Sequence, residues 1–351
     1  MSAAPWIRAS VRAVPPYVPG EQPAAGRRVI KLNTNENPYP PSPAVLDALH
    51  DAVDDRVRLY PDPEAVALRT EASRLYDVPV DHIMAGNGSD ELLALLLRAV
   101  VDPGDQVALP VPTYSLYETL VAVQGGVADT VPWPGDWSLP PALAARDAKL
   151  TFLCNPNSPS GTLVPLEEID ALAARLSGVL VVDEAYVDFA AATALPLVRR
   201  RANVVVLRTL SKSYSLAGLR VGLAFGGPAL LQGLRTVKDS YNLSRLAQAA
   251  AEAALGDLPA MRANVRRITA TRARLTEAFT RLGFRVLPSE ANFVLARRPG
   301  VDLAPVARAL AARDILVRHF ATPALRDALR VTVGTDAEMD ALLAALGDVL
   351  R

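Results

Sequence analysis

Short apolar segments that alternate with helix-like segments constrain the fold of this chain more than any other feature. Three nearly continuous apolar runs, typical of strands buried on both faces, are LTFLC at 150–154, VLVV at 179–182 and NVVVLR at 203–208. A shorter strand is predicted at 105–109, and helices are predicted at 91–100, 115–123 and 166–176. Since crossover helices join parallel strands, the alternation predicts an α/β domain with a mostly parallel central sheet covered by helices.

The pattern changes in the last third of the chain. Residues 244–280 read as an alanine-rich helical stretch. The strands predicted after it lie at 284–287, 292–296, 315–318 and 329–333, and the helices at 302–312 and 336–350. We therefore expect a large domain over residues 31–250 and a smaller α+β domain over residues 251–351. The first 30 residues, rich in proline and glycine, are predicted to form an arm that packs with the small domain.

Charge balance and the scarcity of metal-binding residues argue against several functional classes. Lysine and arginine total 37, as do aspartate and glutamate, so the zero net charge argues against a nucleic-acid binder, and the basic run Arg199–Arg201 reads as a solvated helix end. Cys154 is the only cysteine, and His50, His82 and His319 lack metal-ligand spacing, so no metal site is predicted. Without a signal peptide or a long apolar run, a cytoplasmic location is expected.

Three predicted strands end in polar residues that packing alone would not select. Asn155 follows the strand at 150–154, Asp183 ends the next, and the strand at 203–208 leads to Lys212 in TLSKSYSLAGLR. Ligands of open α/β sheets bind beyond the carboxyl ends of the strands. We therefore expect the three side chains to converge on one site.

Lysine is rare in this chain, which has four lysines against 33 arginines. The bias itself is explained by genomic base composition. It nevertheless draws attention to each remaining lysine, because only an amine forms a Schiff base with an aldehyde. Lys31, Lys149 and Lys238 carry no assigned role, whereas Lys212 lies at a predicted strand end.

Eleven segments in order resemble the pyridoxal-phosphate aminotransferases of fold type I and, more narrowly, the histidinol-phosphate aminotransferases. The segments are PPYVPGEQP, KLNTNENPYPPSP, RLYPDP, AGNGSDE, PTYSLYE, CNPNSPSG, VVDEAYVDF, RTLSKSYSLAGLRVG, KDSYNLSRLAQ, SEANFV and LRVTVGT. They span nearly the whole chain. The resemblance implies a fold type I transferase with a large cofactor-binding domain and pyridoxal 5′-phosphate as the cofactor.

The resemblance implies roles for the residues at the strand ends. Lys212 would link covalently to the cofactor aldehyde and act as the general base and acid. Asp183, in the DEAY motif, would pair with the pyridine nitrogen and keep it protonated. Asn155 and Tyr186 would hydrogen-bond the ring oxygen, and Tyr114 would stack on the ring. Tyr117, three residues later, is interpreted as helix packing.

The cofactor phosphate is expected at the start of a helix, where Gly86 and Gly88 allow close approach. The residues that the resemblance places around this phosphate are Ser89, Asp90, Thr209, Ser211 and Arg220. Tyr60 in RLYPDP resembles a tyrosine that reaches into the phosphate site of the neighbouring subunit. An obligate homodimer is therefore expected.

The substrate's anionic tail is expected to meet Arg330 in LRVTVGT, with Arg318 in ILVR as a second cation. Tyr17 and Asn35 are predicted to line the substrate pocket, and Tyr241 and Asn242 are further candidates for its walls. Asn155 is assigned to the substrate as well as to the cofactor.

The expected reaction is transamination of histidinol phosphate with 2-oxoglutarate, in two half-reactions, within histidine biosynthesis. Aromatic amino acid aminotransferases are the first alternative. A threonine-phosphate decarboxylase is a second, because its frame is similar although a different bond breaks. A cofactor-sensing transcriptional regulator is disfavoured, because only about 30 residues precede the first matched core motif.

Overall fold

Two separate sheets organise the chain. The computed structural model describes residues 6–15, 20–23 and 26–351. In chain order the strands are β1 (Ile30–Leu32), β2 (Ile83–Gly86), β3 (Gln106–Val111), β4 (Val127–Pro132), β5 (Leu150–Cys154), β6 (Val179–Asp183), β7 (Val204–Thr209), β8 (Gly222–Gly226), β9 (Arg285–Val286), β10 (Phe293–Arg297), β11 (Ile315–His319) and β12 (Ala328–Thr332).

Helices cover these sheets and connect their strands. In chain order they are α1 (Ala9–Arg12), α2 (Pro43–Ala52), α3 (Val66–Tyr76), α4 (Ser89–Val100), α5 (Leu116–Gln124), α6 (Leu166–Arg175), α7 (Pro228–Val237), α8 (Arg245–Gly256), α9 (Leu258–Arg281), α10 (Ala304–Ala311) and α11 (Asp336–Val349). Asp257 separates α8 from α9 and accepts a hydrogen bond from the backbone of Ala260, so the helical stretch predicted at 244–280 is two helices.

The larger sheet has seven strands in the order β2-β8-β7-β6-β5-β3-β4. All neighbours pair in parallel except β8, which runs antiparallel to both β7 and β2. Every residue of β5, β7 and β8 is buried, as expected for strands that are covered on both faces. The predicted α/β architecture with a mostly parallel sheet is confirmed.

The smaller sheet has five strands in the order β1-β11-β12-β10-β9. The predicted strands at 292–296, 315–318 and 329–333 are confirmed within one residue at each end. Strand β1, which precedes the bulk of the large domain, pairs in parallel with β11. The chain therefore passes through the small sheet before it enters the large one. Three residues are too few to show a strand periodicity in the sequence.

Close approach of β8 to the start of α4 depends on glycine. A Cβ on Gly222 would lie 2.7 Å from the backbone carbon of Gly88 and from the backbone nitrogen of Ser89. Gly88 itself has φ +81°, a conformation that favours glycine. These two positions bring the N-terminus of α4 against the ends of the central strands. Within the described part of the chain, no helix is both long and apolar enough to cross a membrane.

Candidate active site

A cavity of about 550 Å³ lies between the carboxyl ends of the central strands and the small sheet. Cys154, Asp183 and Thr209 line it from the ends of β5, β6 and β7, while Arg318 and Arg330 line it from β11 and β12. Its volume is typical of a pocket for a small molecule or cofactor. The predicted convergence of strand ends on one site is thus realised for Asp183 and Lys212, which both line this cavity.

Asp183 is a buried carboxylate without a cation among its described partners. Its Oδ2 accepts a hydrogen bond from the hydroxyl of Tyr117 at 2.6 Å, and its Oδ1 accepts one from the backbone N–H of Ala185 at 3.1 Å. Burial raises its pKa to about 6, although both hydrogen bonds act in the opposite direction. Such a group favours a cationic partner that enters the cavity.

Lys212 lies on the turn that follows β7, and its amine is buried. Burial, with a smaller contribution from the positive charge of Arg330, lowers its pKa to about 8. Its Nζ lies 3.4 Å from the carbonyl oxygen of Thr34 and 6.0 Å from the ring centroid of Tyr186. The amide of Asn37 donates to the carbonyl oxygen of Lys212 at 2.9 Å and so fixes this turn. A buried amine with a lowered pKa is a nucleophile near neutral pH.

Asn35 connects the small sheet to Tyr186. Its Nδ2 donates to the hydroxyl oxygen of Tyr186 at 3.0 Å, and its Oδ1 accepts from the Thr332 hydroxyl of β12 at 3.0 Å. Asn35 is buried and has φ 57°, which is uncommon outside glycine but tolerated by asparagine. Burial raises the pKa of Tyr186 to about 12, so its hydroxyl is protonated at neutral pH. Asn35 and Tyr186 both line the cavity, as predicted.

A polar cup closes one end of the cavity, at the N-terminus of α4. The Thr209 hydroxyl donates to Ser211 Oγ at 2.9 Å, and Arg220 Nη1 lies 3.4 Å from the same Ser211 oxygen. Arg220 Nη2 pairs with Asp90 Oδ2 at 3.1 Å, and Ser89 is the first residue of the helix. Hydroxyls, a guanidinium and helix N–H groups are the donors that bind phosphate.

Two arginines from neighbouring strands of the small sheet also line the cavity. Arg318 of β11 and Arg330 of β12 are direct partners in the antiparallel register. Arg330 donates to Ser158 Oγ at 3.2 Å and to the carbonyl oxygen of Asn33 at 2.8 Å, and both guanidinium groups lie over the ring of Phe320. Two guanidinium groups in direct cross-strand register offer the kind of donors that bind an anion.

Tyr114 lines the cavity, and its hydroxyl donates to Asp90 Oδ1 at 3.2 Å. Asn155 is not among the residues that line the cavity. Its side-chain amide exchanges two hydrogen bonds with the backbone of Val164, at 2.7 and 3.1 Å. Tyr17 lies outside the described residues.

Tyr60 does not line the cavity of its own chain. Its ring is 80% exposed and stacks on Tyr241, with ring centroids 4.3 Å apart. The side chain of Asn242 donates to Glu91 and to the backbone carbonyl of Ala85. Neither Tyr241 nor Asn242 is among the residues that line the cavity.

Three residues of the site were not singled out by the sequence reasoning. Tyr117 contacts Asp183 through its hydroxyl, Phe320 supports the two arginines, and Glu36 lines the cavity beside Thr34. Glu36 Oε1 pairs with Lys31 at 2.6 Å. The aromatic spacing in PTYSLYE was the available signal for Tyr117, but the same spacing fits helix packing.

The cavity fits the expected pyridoxal 5′-phosphate. The cup formed by Ser89, Thr209, Ser211 and Arg220 provides donors for a phosphate, and the buried amine of Lys212 suits an aldehyde. Asp183 provides a buried carboxylate for a protonated ring nitrogen. Within residues 6–15, 20–23 and 26–351, no group of three or more histidine, cysteine, aspartate or glutamate side chains is arranged to hold a metal ion.

Comparisons with known proteins agree over the whole chain. Residues 27–346 match the family described as "Aminotransferase class I and II". The protein named "Histidinol-phosphate aminotransferase 1" of Trichormus variabilis is 47% identical over 347 residues, which cover 99% of this chain and 99% of that protein. "Histidinol-phosphate aminotransferase" of Geotalea uraniireducens is 47% identical over 343 residues, 98% and 99% of the two chains. The crystal structure of histidinol-phosphate aminotransferase from Sinorhizobium meliloti in complex with pyridoxal-5′-phosphate has a TM-score of 0.90 at 31% identity, and the match covers 100% of this chain and 99% of that one.

Proposed function

The chain belongs to the class I and II aminotransferases, among the histidinol-phosphate aminotransferases, and on this premise we propose that it transfers the amino group between histidinol phosphate and 2-oxoglutarate in histidine biosynthesis. The observation that carries the proposal is one cavity with three chemically distinct parts. These are the amine of Lys212 and the carboxylate of Asp183, a phosphate-binding cup, and the two arginines Arg318 and Arg330. A cytoplasmic location is part of the same proposal.

The cofactor, when bound, supplies an aldehyde that accepts an amino group and a protonated ring that withdraws electrons. Lys212 would hold the aldehyde carbon, and its amine, once displaced by the substrate's amino group, would take up and return the proton of the substrate Cα. Its pKa of about 8 leaves part of the amine deprotonated at neutral pH. Asp183 would keep the ring nitrogen protonated, and Tyr114 would pack against the ring.

The hydroxyl of Tyr186 is placed to donate to the ring oxygen, because it accepts rather than donates in its bond with Asn35. Asn155 does not line the cavity, and its described hydrogen bonds use one of its two Nδ2 hydrogens; from the matched motif alone we propose that the other would reach the same ring oxygen when the cofactor is bound. Ser89, Asp90, Thr209, Ser211 and Arg220 surround the cofactor phosphate in this assignment, with Asp90 orienting Arg220. These roles follow the matched motifs.

Arg318 and Arg330 are assigned to the anionic tail of the substrate. Histidinol phosphate carries a phosphate at this end and glutamate carries a carboxylate, so the site must accept both anions. A planar guanidinium forms two parallel hydrogen bonds with either group. The cross-strand register of β11 with β12 places Arg318 directly opposite Arg330, and both guanidinium groups lie over the ring of Phe320. Asn35 is assigned to the wall beside this tail.

The exposed stack of Tyr60 on Tyr241 supports a homodimer. Val53, Val57 and Leu59, which precede Tyr60 closely in the chain, are each at least half exposed, so this segment presents several apolar side chains to water. We propose that this segment binds a second copy of the chain and that Tyr60 contacts the cofactor phosphate in the neighbouring site.

The dimer proposal is tested by mixing two inactive variants. Tyr60→Ala and Lys212→Ala chains, once combined as heterodimers, contain one site with an intact Lys212 and the partner's Tyr60. Activity that returns in the heterodimer supports the shared site. If Tyr60 acts only within its own chain, the mixture stays as inactive as the two parents.

The substrate assignment is tested by kcat/KM for histidinol phosphate and phenylalanine in transamination and for threonine phosphate in decarboxylation. Preference for histidinol phosphate by more than about tenfold, or 1.4 kcal/mol of transition-state binding, is the expected result. Preference for phenylalanine would instead identify an aromatic aminotransferase, and release of carbon dioxide from threonine phosphate would identify a decarboxylase.

A further inference from the structure

Tyr117 is a fully buried tyrosine whose hydroxyl meets the functional carboxylate and also lies against the thiol of Cys154. It lies on α5, and its hydroxyl donates to Asp183 Oδ2 at 2.6 Å across a sequence separation of 66 residues. The bond is short, as is common for an O–H that donates to a charged oxygen. The two oxygens of Asp183 are thereby held from two directions, because Ala185 N–H bonds to the other oxygen.

The ring of Tyr117 is fixed by two further aromatic rings. It stacks on Phe152 of β5, with centroids 4.7 Å apart, and meets the edge of Tyr114 at 5.5 Å. The three-residue spacing from Tyr114, at the start of α5, brings both side chains to the same side of the chain. Tyr117 therefore contacts both Asp183 and Tyr114. These are the carboxylate and the aromatic ring that we assign to the cofactor's pyridine ring.

We propose that Tyr117 is a positioning residue, which orients the Asp183 carboxylate and the Tyr114 ring around the cofactor's pyridine ring. The pyridine ring in this inference rests on the proposed function, whereas the contact between Tyr117 and Asp183 is observed in the structure. Tyr117 does not line the cavity itself. It acts through the two residues that do.

The hydroxyl of Tyr117 also keeps the carboxylate ionised. Burial raises the pKa of Asp183 to about 6, and the hydrogen bond from Tyr117 is the largest influence that lowers it. Burial together with the negative charge of Asp183 raises the pKa of Tyr117, so the phenol remains a donor at neutral pH. The other titratable groups whose charge influences or is influenced by Asp183 are Asp90, Cys154 and Tyr186, together with Glu184 on the opposite face of the sheet.

The direct test titrates Asp183 in cofactor-free protein. Infrared difference spectra follow protonation of its carboxyl group, and the band is assigned by its absence in Asp183→Asn. In Tyr117→Phe we expect the midpoint to rise by about 1–2 pH units, the size expected for loss of one hydrogen bond to a charged group. Tyr76→Phe is the matched control, because Tyr76 is also a tyrosine in a buried environment but its hydroxyl faces Tyr214.

A second readout uses the holoenzyme. The acid limb of its kcat profile should move to higher pH in Tyr117→Phe by the same interval, with activity largely restored at the alkaline end. A variant that had merely lost packing would lose activity evenly across the pH range. An Asp183 midpoint unchanged in Tyr117→Phe would overturn the proposal.

If Tyr117→Phe does not fold, a fluorinated tyrosine at position 117 replaces it. Its more acidic phenol donates a stronger hydrogen bond, so the midpoint of Asp183 should fall, and an unchanged or higher midpoint contradicts the proposal. Both titrations are made without cofactor or substrate. A shifted midpoint in a protein that fails the substrate comparison would refute the proposed reaction but leave the Tyr117–Asp183 contact in place.

Discussion

Asp183 and Glu184 are consecutive buried carboxylates that face opposite sides of the same sheet. Successive side chains of a strand point to opposite faces, so one reaches the cavity and the other reaches the packed layer behind it. Asp183 lines the cavity, whereas Glu184 accepts hydrogen bonds from Arg208 and Thr193. The same local sequence thus supplies one charge for function and one for structure.

The Glu184 side is a fully paired network. Arg208 Nη2 lies 3.1 Å from Glu184 Oε2, and the guanidinium packs over the ring of Tyr76 at 4.5 Å from its centroid. Although burial disfavours the charged guanidinium, the negative charges of Glu184 and Asp188 raise its pKa. Asp188 also accepts a hydrogen bond from Ser213, the neighbour of Lys212. This network supports the turn that carries Lys212.

The Asp183 side is incomplete by comparison. None of the described ion pairs involves Asp183, and the amine of Lys212 has a lowered pKa rather than a carboxylate partner. A buried charge with no counter-ion costs stability, and the fold tolerates it because a ligand provides the missing partner. The difference separates residues whose loss should abolish activity from residues whose loss should unfold the protein.

The largest expected effect is the loss of the functional amine. Lys212→Ala should reduce kcat by at least about 10³-fold, because the nucleophile and the proton carrier are removed together. The absorbance band of the lysine-linked cofactor, at roughly 410–430 nm, should disappear as well. Lys149→Ala, at an exposed position, is the control and should behave as wild type. Near-normal turnover in Lys212→Ala would remove the basis of the proposed function.

Replacement of Asp183 should separate activity from stability. Asp183→Asn should lower kcat by about 10²–10³-fold, because the charge opposite the ring nitrogen is lost. The pKa of Asp183 in the folded protein, about 6, lies above its ordinary value of 3.8. Its contribution to stability is therefore full below pH 3.8 and is lost as the pH rises through 6.

At pH 7 the free energy of unfolding of cofactor-free Asp183→Asn should consequently equal or exceed that of wild type. Urea denaturation of the two proteins measures the difference. A free energy of unfolding several kcal/mol below that of wild type would mean that Asp183 stabilises the fold, as Glu184 does.

Replacement of Glu184 should give the opposite result. Burial raises the pKa of Glu184 as well, but Glu184→Gln leaves the buried charge of Arg208 without its main partner and should therefore lower the free energy of unfolding by about 3–5 kcal/mol. Urea denaturation of cofactor-free protein is again the measurement. Glu252→Gln removes an exposed carboxylate and should change stability by less than about 0.5 kcal/mol. A free energy of unfolding equal to that of wild type in Glu184→Gln would contradict the assignment of Glu184 to stability and Asp183 to activity.

Sequence reasoning was most successful where a local pattern determines the structure. The strand at 150–154 is confirmed residue for residue, and the strand predicted at 179–182 extends only to Asp183. Continuous apolar runs bounded by polar residues determine where such strands begin and end. Because ligands of open α/β sheets bind beyond the carboxyl ends of the strands, Asp183 and Lys212 are then predicted to lie at one site. The assigned roles of these residues came from the resemblance and remain proposals.

Contacts between distant parts of the chain could not be predicted from local sequence patterns. The packing assigned to Tyr117 is present, but its hydroxyl partner is 66 residues away and no spacing rule indicates it. Asn35 is joined to Thr332 across 297 residues, and the direct register of Arg318 with Arg330 depends on how β11 pairs with β12. Such positions are determined by tertiary packing rather than by local sequence.

The smallest expected effect concerns the pH at which Lys212 becomes reactive. Its pKa of about 8 predicts that cofactor-free protein binds pyridoxal 5′-phosphate tenfold more slowly for each unit below pH 8 and at a constant rate above it. The growth of the absorbance band after mixing, recorded across pH, gives this profile. Burial is the main cause of the lowered pKa, and the charge of Arg330 is the next.

Arg330→Gln should therefore move the profile to higher pH by less than about one unit, because one repulsive charge is removed while burial remains. Arg297→Gln is the matched control, since Arg297 lies in the same sheet but pairs with Asp327 and does not line the cavity. An equal shift in both variants would trace the effect to the overall charge of the protein. A shift confined to Arg330→Gln would establish that the anion end of the cavity acts on the amine, so that a bound substrate anion raises the pKa of Lys212.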